Sequence, residues 1–198
     1  MRRVFEFFVA FVGIVILSPA LLTIATLVMA HDGGSVFYRA RRVGRNGRFF
    51  GLYKFRTMIP NADKEGGALT VSGDIRVTPI GRFLRRHKLD ELPQLLNVLK
   101  GDMSLVGPRP EDPRYIKYYS PEQRRVLTIS PGITSPASLR FRNEEALLSG
   151  QDWEKKYLEE ILPRKLALEL EYFPGRSFWR DIRIIIRTLG GKPGWSSD

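Results

Sequence analysis

The sequence predicts a mostly helical α+β protein that is held at a membrane by its N-terminus. An apolar segment at residues 5–30 contains a single charged residue, Glu6. Two aromatic and β-branched segments meet at a turn signal, Asn46-Gly47, and most of the remaining chain has helical periodicity. We therefore divide the chain of 198 residues into a membrane anchor at residues 1–30 and a cytoplasmic domain at residues 31–198.

The anchor has positive charge on both sides. Its apolar segment is long enough for a transmembrane helix and too long for the apolar part of a signal peptide. Cytoplasmic flanks of membrane segments are enriched in Lys and Arg. Both flanks are therefore predicted to lie in the cytoplasm, which a single straight span does not allow; the flanking arginines are Arg2, Arg3, Arg39, Arg41, Arg42, Arg45 and Arg48.

A Ser18-Pro19 pair divides this segment. Proline lacks a backbone N–H and disrupts a helix interior. Residues 5–17 and 20–30 form arms of 13 and 11 residues, which as helices are roughly 20 and 16 Å long and shorter than a hydrocarbon core of about 30 Å. The pattern favours a re-entrant helix-break-helix hairpin, in which the Ser18 hydroxyl bonds a carbonyl freed by Pro19. The alternative is an ordinary kinked span.

The following segments predict a small β-hairpin and then helices. Residues 35–43 and 48–55 are the predicted strands. Residues 78–88 and 89–100 are predicted helices, the second starting at Asp90-Glu91, tolerating Pro93 in its first turn and ending at Gly101. A longer helix at residues 152–172 is expected to bend at Pro163.

The last predicted helix, residues 177–189, is amphipathic and basic. Ile182, Ile185, Ile186 and Leu189 fall at helical spacing, and arginines line the other side. Such a helix lies in the membrane interface, or else it packs its apolar stripe on the protein core and leaves the arginines in water. The sequence alone leaves both interpretations open.

Composition excludes several classes of site. The chain has no Cys and two His, so disulfides, cysteine-based zinc sites and thiol nucleophiles are excluded. A net charge of +11 suits nucleic acid, an anionic membrane or a phosphorylated substrate. Aromatic residues are not interleaved with arginines in the way that base stacking requires, so nucleic acid is disfavoured as a partner.

The adjacent carboxylates Asp90 and Glu91 are the main chemical candidates. Most such pairs at a helix start are exposed capping residues. Here they follow a basic segment, and other basic residues stand in restricted contexts; these cations are Lys54, Arg56, Arg82, Arg85, Arg86, Lys88, Arg109, Arg140 and Arg142. Guanidinium groups match phosphate oxygens, and a carboxylate among them can hold Mg²⁺ or attack phosphorus.

Four motifs together resemble one enzyme family. KFRTM at 54–58, DIRVTPIGRFLRR at 74–86, LDELPQLLNVLKGDMSLVGPRP at 89–110 and PGIT at 131–134 are similar to motifs of the bacterial sugar transferases, the monotopic phosphoglycosyl transferases. The chain resembles the minimal, catalytic-domain form of that family. One segment departs from the common pattern, because Ser135-Pro-Ala-Ser138 follows PGIT where Gly-Trp-Ala-Gln is usual.

The resemblance implies a reaction and its partners. Family members transfer a sugar-1-phosphate from a UDP-sugar to a polyprenol phosphate, such as undecaprenyl phosphate, and release UMP. This is the first membrane step in glycoconjugate synthesis, including exopolysaccharide, O-antigen and glycoprotein. It implies a bacterial inner-membrane protein that is monotopic and faces the cytoplasm. A homodimer is compatible with the sequence.

The resemblance also implies roles for single residues. Asp90 would be the nucleophile that forms a covalent phospho-sugar and would contact Mg²⁺, while Glu91 would orient it or assist proton handling. The phosphate-binding residues would be Lys54, Arg85, Arg109 and Arg142, to which the residue pattern adds Arg56. Ser18-Pro19 would be the break of the re-entrant helix. Two alternatives remain: direct transfer in a ternary complex, and a non-catalytic scaffold that binds anionic lipids.

Overall fold

The computed structural model describes residues 2–62, 73–148 and 152–190, and among them it is a mostly helical α+β protein. The helix α1 spans Arg2–Asp32. In the described part of the chain it is the one helix that is long and apolar enough to cross a membrane.

The predicted interruption of α1 at Ser18-Pro19 is not found, because Arg2–Asp32 is one continuous helix that contains Pro19. The Ser18 hydroxyl explains why. Pro19 cannot donate to the carbonyl of Val15, four residues earlier, and Ser18 Oγ donates to that oxygen at 2.8 Å instead. The predicted Ser18 hydrogen bond is therefore confirmed, and it replaces the donor that Pro19 removes.

Both ends of α1 contact the rest of the protein. At the start, Arg3 donates to the carbonyl oxygens of Met103 and Val98 at 2.8 and 2.5 Å, and Arg2 pairs with Asp181. At the end, Asp32 pairs with Arg56. The two termini of the apolar helix thus lie against the same domain, and a row of apolar side chains along the helix stays exposed: Val4, Phe7, Phe8, Phe11, Val15, Ile16, Leu22, Leu27 and Met29.

The predicted β-hairpin is confirmed. The strands β1 (Phe37–Val43) and β2 (Phe49–Phe55) are antiparallel, with Ala40 opposite Leu52 on the buried side. Asn46 and Gly47 have φ values of 57° and 75°, as the turn signal predicts. The connection is a five-residue loop, closed by a hydrogen bond from Gly44 N to Arg48 O, rather than a two-residue turn.

Two short helices follow the hairpin. The helix α2 spans Pro79–Arg86 and is capped by the Thr78 side chain. The predicted single helix at residues 89–100 is wrong in its first part. A 3₁₀ turn at Leu89–Glu91 precedes α3, Gln94–Lys100, because Pro93 supplies no N–H and becomes the N-cap of α3. Gly101 ends α3 with φ 94°, as predicted.

Two glycines set the path of the chain beyond α3. The strands β3 (Ser104–Val106) and β4 (Gly132–Thr134) are parallel, and Gly107 and Gly132 lie back to back. A Cβ on Gly132 would lie 2.0 Å from Gly107 N, so this approach requires glycine. The Pro108–Pro110 loop leaves β3 at this point, held by a hydrogen bond from Gly132 N to Pro108 O.

Helices complete the domain. They are α4 (Pro113–Ile116), α5 (Pro136–Arg140), α6 (Glu144–Leu147), α7 (Trp153–Lys156), α8 (Leu162–Tyr172) and α9 (Phe178–Leu189), with 3₁₀ segments at Arg45–Gly47 and Gln123–Thr128. The long helix was predicted to bend at Pro163. The irregular part of this helix is a π segment at Tyr157–Ile161, which comes before Pro163 in the chain.

The helix α9 packs only part of the predicted apolar stripe on the core, because Ile185 lies against two core clusters whereas Ile186 and Leu189 do not. It buries Asp181 and Ile184, whereas Leu189 is 83 % exposed and Ile186 is also exposed. Trp179 is 77 % exposed on the same side. The face that α9 buries differs from the predicted one because Asp181 is held in the interior by Arg2, Arg176 and Tyr172. This leaves an apolar stripe of Phe178, Trp179, Ile186 and Leu189 on the surface.

Candidate active site

The site is built where the 3₁₀ turn at Leu89–Glu91 meets the end of β2. Lys88 precedes this turn in a left-handed conformation, with φ 57° and ψ 21°. Non-glycine residues adopt that conformation at some cost, and they cluster at functional sites. The change of direction turns Asp90 inward, so that it is only 5 % exposed.

Glu91 is fixed by two cations. Its Oε1 accepts hydrogen bonds from Lys54 Nζ at 2.8 Å and from Arg109 Nη2 at 2.6 Å, and its Oε2 accepts from Arg109 Nη1 at 3.3 Å. Burial alone would raise the pKa of Glu91, but Arg109 and Lys54 outweigh it and hold this pKa well below its usual value. In turn, Glu91 raises the pKa of Arg109. Glu91 is therefore an ionised anchor for both cations.

Asp90 has a different environment from its neighbour. Its Oδ2 lies 4.0 Å from Lys54 Nζ, and its buried Oδ1 has no hydrogen-bond partner. Burial raises the pKa of Asp90, with Glu91 adding to the rise and Lys54 and Arg85 opposing it. Buried polar atoms are nearly always satisfied, so an unpartnered oxygen on a carboxylate that lies near Lys54 indicates a place for a ligand or a reacting atom.

The structure brings three of the five predicted phosphate-site residues together with Asp90, in different ways. Lys54 and Arg109 bind Glu91, and Arg85 acts on Asp90 through its charge. Arg85 Nε donates to Thr57 Oγ1 at 2.8 Å, and Thr57 is buried beneath α2. Sequence analysis assigned no role to Thr57, although it lies inside the KFRTM motif next to Arg56.

Arg56 and Arg142 lie elsewhere. Arg56 pairs with Asp32 and so secures the end of α1. Arg142 Nη1 donates to the carbonyl of Thr188 on α9 at 3.3 Å. Thr188 is tied to β4 through Thr134, whose hydroxyl oxygen lies 2.6 Å from that of Thr188. In the described contacts Arg56 holds the end of α1 to the domain, and Arg142 holds α9 to it.

At this site Asp90 is the carboxylate that is available to a metal ion. Among residues 2–62, 73–148 and 152–190 there is no group of three or more His, Asp or Glu side chains that could hold a metal. The oxygens of Glu91 are occupied by cations, whereas Asp90 Oδ1 is free. Mg²⁺ commonly takes one or two protein carboxylates and completes its shell with substrate phosphates and water. Asp90 therefore fits a magnesium site shared with a diphosphate.

Known proteins similar to this chain belong to one family. Residues 1–191 match the sequence profile of the family described as "Bacterial sugar transferase". The "Uncharacterized sugar transferase EpsL" of Bacillus subtilis is 37 % identical over 189 residues, which cover 96 % of this chain and 85 % of that protein.

Two further relatives carry names that state a reaction. The "UDP-glucose:undecaprenyl-phosphate glucose-1-phosphate transferase" of Caulobacter vibrioides is 37 % identical, over 95 % of this chain and 68 % of that protein. The "UDP-N-acetylgalactosamine-undecaprenyl-phosphate N-acetylgalactosaminephosphotransferase" of Aeromonas hydrophila is 32 % identical, over 95 % of this chain and 42 % of that protein. This chain belongs to the bacterial sugar transferase family and is a transferase.

Proposed function

We propose that the chain transfers a sugar-1-phosphate from a UDP-sugar to a polyprenol phosphate and releases UMP. The named reactions of the relatives from Caulobacter vibrioides and Aeromonas hydrophila support these substrate classes. An "Exopolysaccharide production protein ExoY" of Rhizobium meliloti, 34 % identical over 95 % of this chain, supports a place in exopolysaccharide synthesis. The observation that carries the proposal is the buried carboxylate of Asp90: its Oδ1 has no partner, and its Oδ2 lies 4.0 Å from Lys54, a cation that Glu91 fixes.

In the proposed mechanism Asp90 is the nucleophile. A carboxylate oxygen of Asp90 attacks the phosphorus that carries the sugar, and the bond from that phosphorus to the bridging oxygen breaks. UMP leaves with the electron pair, and an acyl phosphate joins Asp90 to the sugar-phosphate. A phosphate oxygen of the polyprenol phosphate then attacks the same phosphorus and releases Asp90. One phosphoanhydride replaces another, so no further energy source is needed.

Glu91 does not compete with Asp90 for this role, because it is bound by Lys54 and Arg109. Its negative charge positions these two cations, and their remaining donors are directed to phosphate oxygens of the substrate. Charge stabilisation by fixed cations is the main contribution of proteins to phosphoryl transfer. Mg²⁺ held by Asp90 and the diphosphate would neutralise further charge on the transferring oxygens.

We infer that the protein is monotopic and faces the cytoplasm of the bacterial inner membrane. The contacts of Arg3 with Met103 and of Asp32 with Arg56 support this topology, because they keep both ends of α1 at one domain. A re-entrant path, with residues near Ser18-Pro19 deepest in the leaflet, also keeps both ends at the domain. It requires α1, which is continuous in this structure, to bend at Pro19 in the membrane. The exposed α9 stripe adjoins α1 through an edge contact of Phe178 with Phe5, with ring centroids 5.1 Å apart, so α9 would lie in the interface.

A transfer assay tests the function. Purified protein is incubated with vesicles that contain undecaprenyl phosphate, Mg²⁺ and each of a panel of UDP-sugars. We expect UMP release and an equal amount of lipid-extractable sugar with at least one donor. Asp90→Asn should abolish both signals, and Asp152→Asn, an exposed control, should change neither. Turnover retained by Asp90→Asn, or its absence from the unmodified protein with every UDP-sugar, would contradict the proposal.

A further inference from the structure

A second unpartnered polar group lies close to Asp90 along the chain. Gln94 is 1 % exposed, and its amide nitrogen Nε2 has no hydrogen-bond partner. A buried NH₂ group without an acceptor costs free energy, and native proteins retain few of them. The proposed reaction assigns Gln94 no role, so this donor needs a separate explanation.

The local backbone places Gln94 on the same side of the chain as two residues that bind β2, Glu91 and Asn97. Hydrogen bonds run from Leu92 N to Leu89 O at 3.3 Å and from Leu95 N to Leu92 O at 3.1 Å. Such bonds repeat every three residues, which places residues three apart on one face. Glu91 and Gln94 are therefore aligned, and in the α-helix that follows Gln94 and Asn97 are three apart and neighbours on one side.

The other two residues on this side, Glu91 and Asn97, both bind residues of β2. Glu91 binds Lys54, while Asn97 accepts from Tyr53 N at 3.0 Å and donates to Gly51 O at 2.8 Å. Gln94 lies between them in sequence and on the same side, yet its amide nitrogen is left without an acceptor. The segment from Asp90 to Gln94 thus holds one unpartnered acceptor, Asp90 Oδ1, and one unpartnered donor.

We propose that Gln94 binds the transferring group: its amide N–H donates to a non-bridging oxygen of the phosphoryl group while that group is bound at Asp90. This proposal rests on the proposed function, because that reaction brings a new acceptor to this buried place. Unlike Lys54 and Arg109, Gln94 contributes a neutral donor that no carboxylate occupies. Its hydrogen bond forms only when the substrate is present, so it contributes to rate and not to the stability of the free protein.

The test compares rate with stability in two matched variants. Gln94→Met keeps the length of the side chain and removes the unpartnered donor. We expect its rate of UMP release in a single turnover to fall about 10- to 100-fold, as loss of one hydrogen bond to a charged group predicts, while its Tm stays equal or rises. Gln123→Met is the control, because the Gln123 side chain accepts from Ser120 N at 2.9 Å outside the site. It should show the opposite pattern, a slightly lower Tm and an unchanged rate.

A second variant, Gln94→Glu, keeps the shape and replaces the donor by an acceptor. We expect a loss of rate at least as large as that of Gln94→Met. Unchanged single-turnover rates in both Gln94 variants would overturn the proposal. So would a Tm of Gln94→Met several degrees lower, which would show that the amide has a structural partner such as a buried water. Inactivity of the unmodified protein would instead count against the proposed function, so the two failures are distinguishable.

Discussion

Arg109 Nη2 donates to Glu91 Oε1 at 2.6 Å, and this contact joins the loop after β3 to the turn that carries Asp90. It links the two most distinctive motifs of the sequence, the Pro-Arg-Pro loop and the Asp-Glu pair. Because Glu91 is held in this way, the two neighbouring carboxylates have opposite pKa shifts: that of Asp90 is raised and that of Glu91 is lowered. Such separation of two adjacent carboxylates is typical of sites where they perform different tasks.

The pH dependence of activity should report Asp90. A nucleophilic carboxylate must be ionised, so kcat/KM should fall as the pH drops below the pKa of Asp90, which burial places above its ordinary value. The charge of Glu91 adds to that rise. In Glu91→Gln the acid limb should therefore move to lower pH, and kcat should fall about 100-fold because Lys54 and Arg109 lose their anchor.

Steady-state assays from pH 4 to pH 8 check this prediction. Glu122→Gln, at an exposed position, is the control and should follow the unmodified protein. An acid limb that moves to higher pH in Glu91→Gln would show that Glu91 does not act on Asp90 as described.

Glu169 should make the folded protein less stable as the pH rises. It is buried, Ser135 Oγ donates to its Oε1 at 2.5 Å, and its Oε2 has no partner. Burial raises the pKa of Glu169 to about 8. The unfolded carboxyl ionises near pH 4.5 while the folded one stays protonated, so its contribution to stability decreases between about pH 4.5 and pH 8.

Glu169→Gln removes this titration. We expect the variant to have nearly the same Tm as the unmodified protein at pH 4.5 and a higher Tm at pH 8, with a gain of a few kcal/mol in unfolding free energy. Thermal melts at the two pH values measure the difference, with exposed Glu159→Gln as the control. An equal effect of Glu169→Gln at both pH values would show that Glu169 does not titrate in this range.

The glycine pair behind the Pro-Arg-Pro loop should not tolerate a side chain. In Gly132→Ala the new Cβ would meet Gly107 N at 2.0 Å, so β3 and β4 must separate. We expect a loss of about 1–3 kcal/mol or more in unfolding free energy and a lower transfer rate, since Arg109 follows Gly107. Gly13→Ala is the control, because its Cβ would lie 3.6 Å from Leu95 in ordinary contact. Equal melting temperatures of the two variants would contradict the packing described.

The anchor should place both of its ends on one side of the membrane. The chain has no cysteine, so single cysteines report positions cleanly. We expect a cysteine inserted after Met1 and one at Ser35 to be shielded from a membrane-impermeant maleimide in intact cells and labelled after lysis. Lys117→Cys, in the domain, is the reference for a cytoplasmic site. Labelling of the N-terminal cysteine in intact cells would establish a transmembrane span instead.

Several elements could be predicted from the sequence because interactions between neighbouring residues determine them. Asn46-Gly47 specifies a turn, Thr78 caps α2 and Gly101 ends α3. The continuity of α1 was not predictable from Pro19 alone, because one hydroxyl, that of Ser18, compensates for the lost donor. The face that α9 buries depends on the distant partner Arg2, which no periodicity within α9 reveals.

The candidate site also contains some contacts that could be predicted from the sequence and others that could not. Lys54, Glu91 and Arg109 meet, as the resemblance to the family implied by placing all three in one site. The residue pattern also placed Arg56 among the phosphate-binding residues. Arg56 instead pairs with Asp32, a residue at the end of the apolar helix. Gln94 was not predicted at all, because an amide in a helix carries no signal until its burial and its missing partner are known.

The covalent intermediate on Asp90 is the central claim, and mass spectrometry tests it most directly. Purified protein is incubated with a UDP-sugar that supports transfer and with Mg²⁺, but without polyprenol phosphate. We predict one equivalent of UMP, a mass increase equal to one sugar-phosphate, and location of that mass on Asp90 by peptide mapping, with no increase in Asp90→Asn. Active enzyme that releases no UMP and gains no mass until polyprenol phosphate is added would contradict the account and establish direct transfer in a ternary complex.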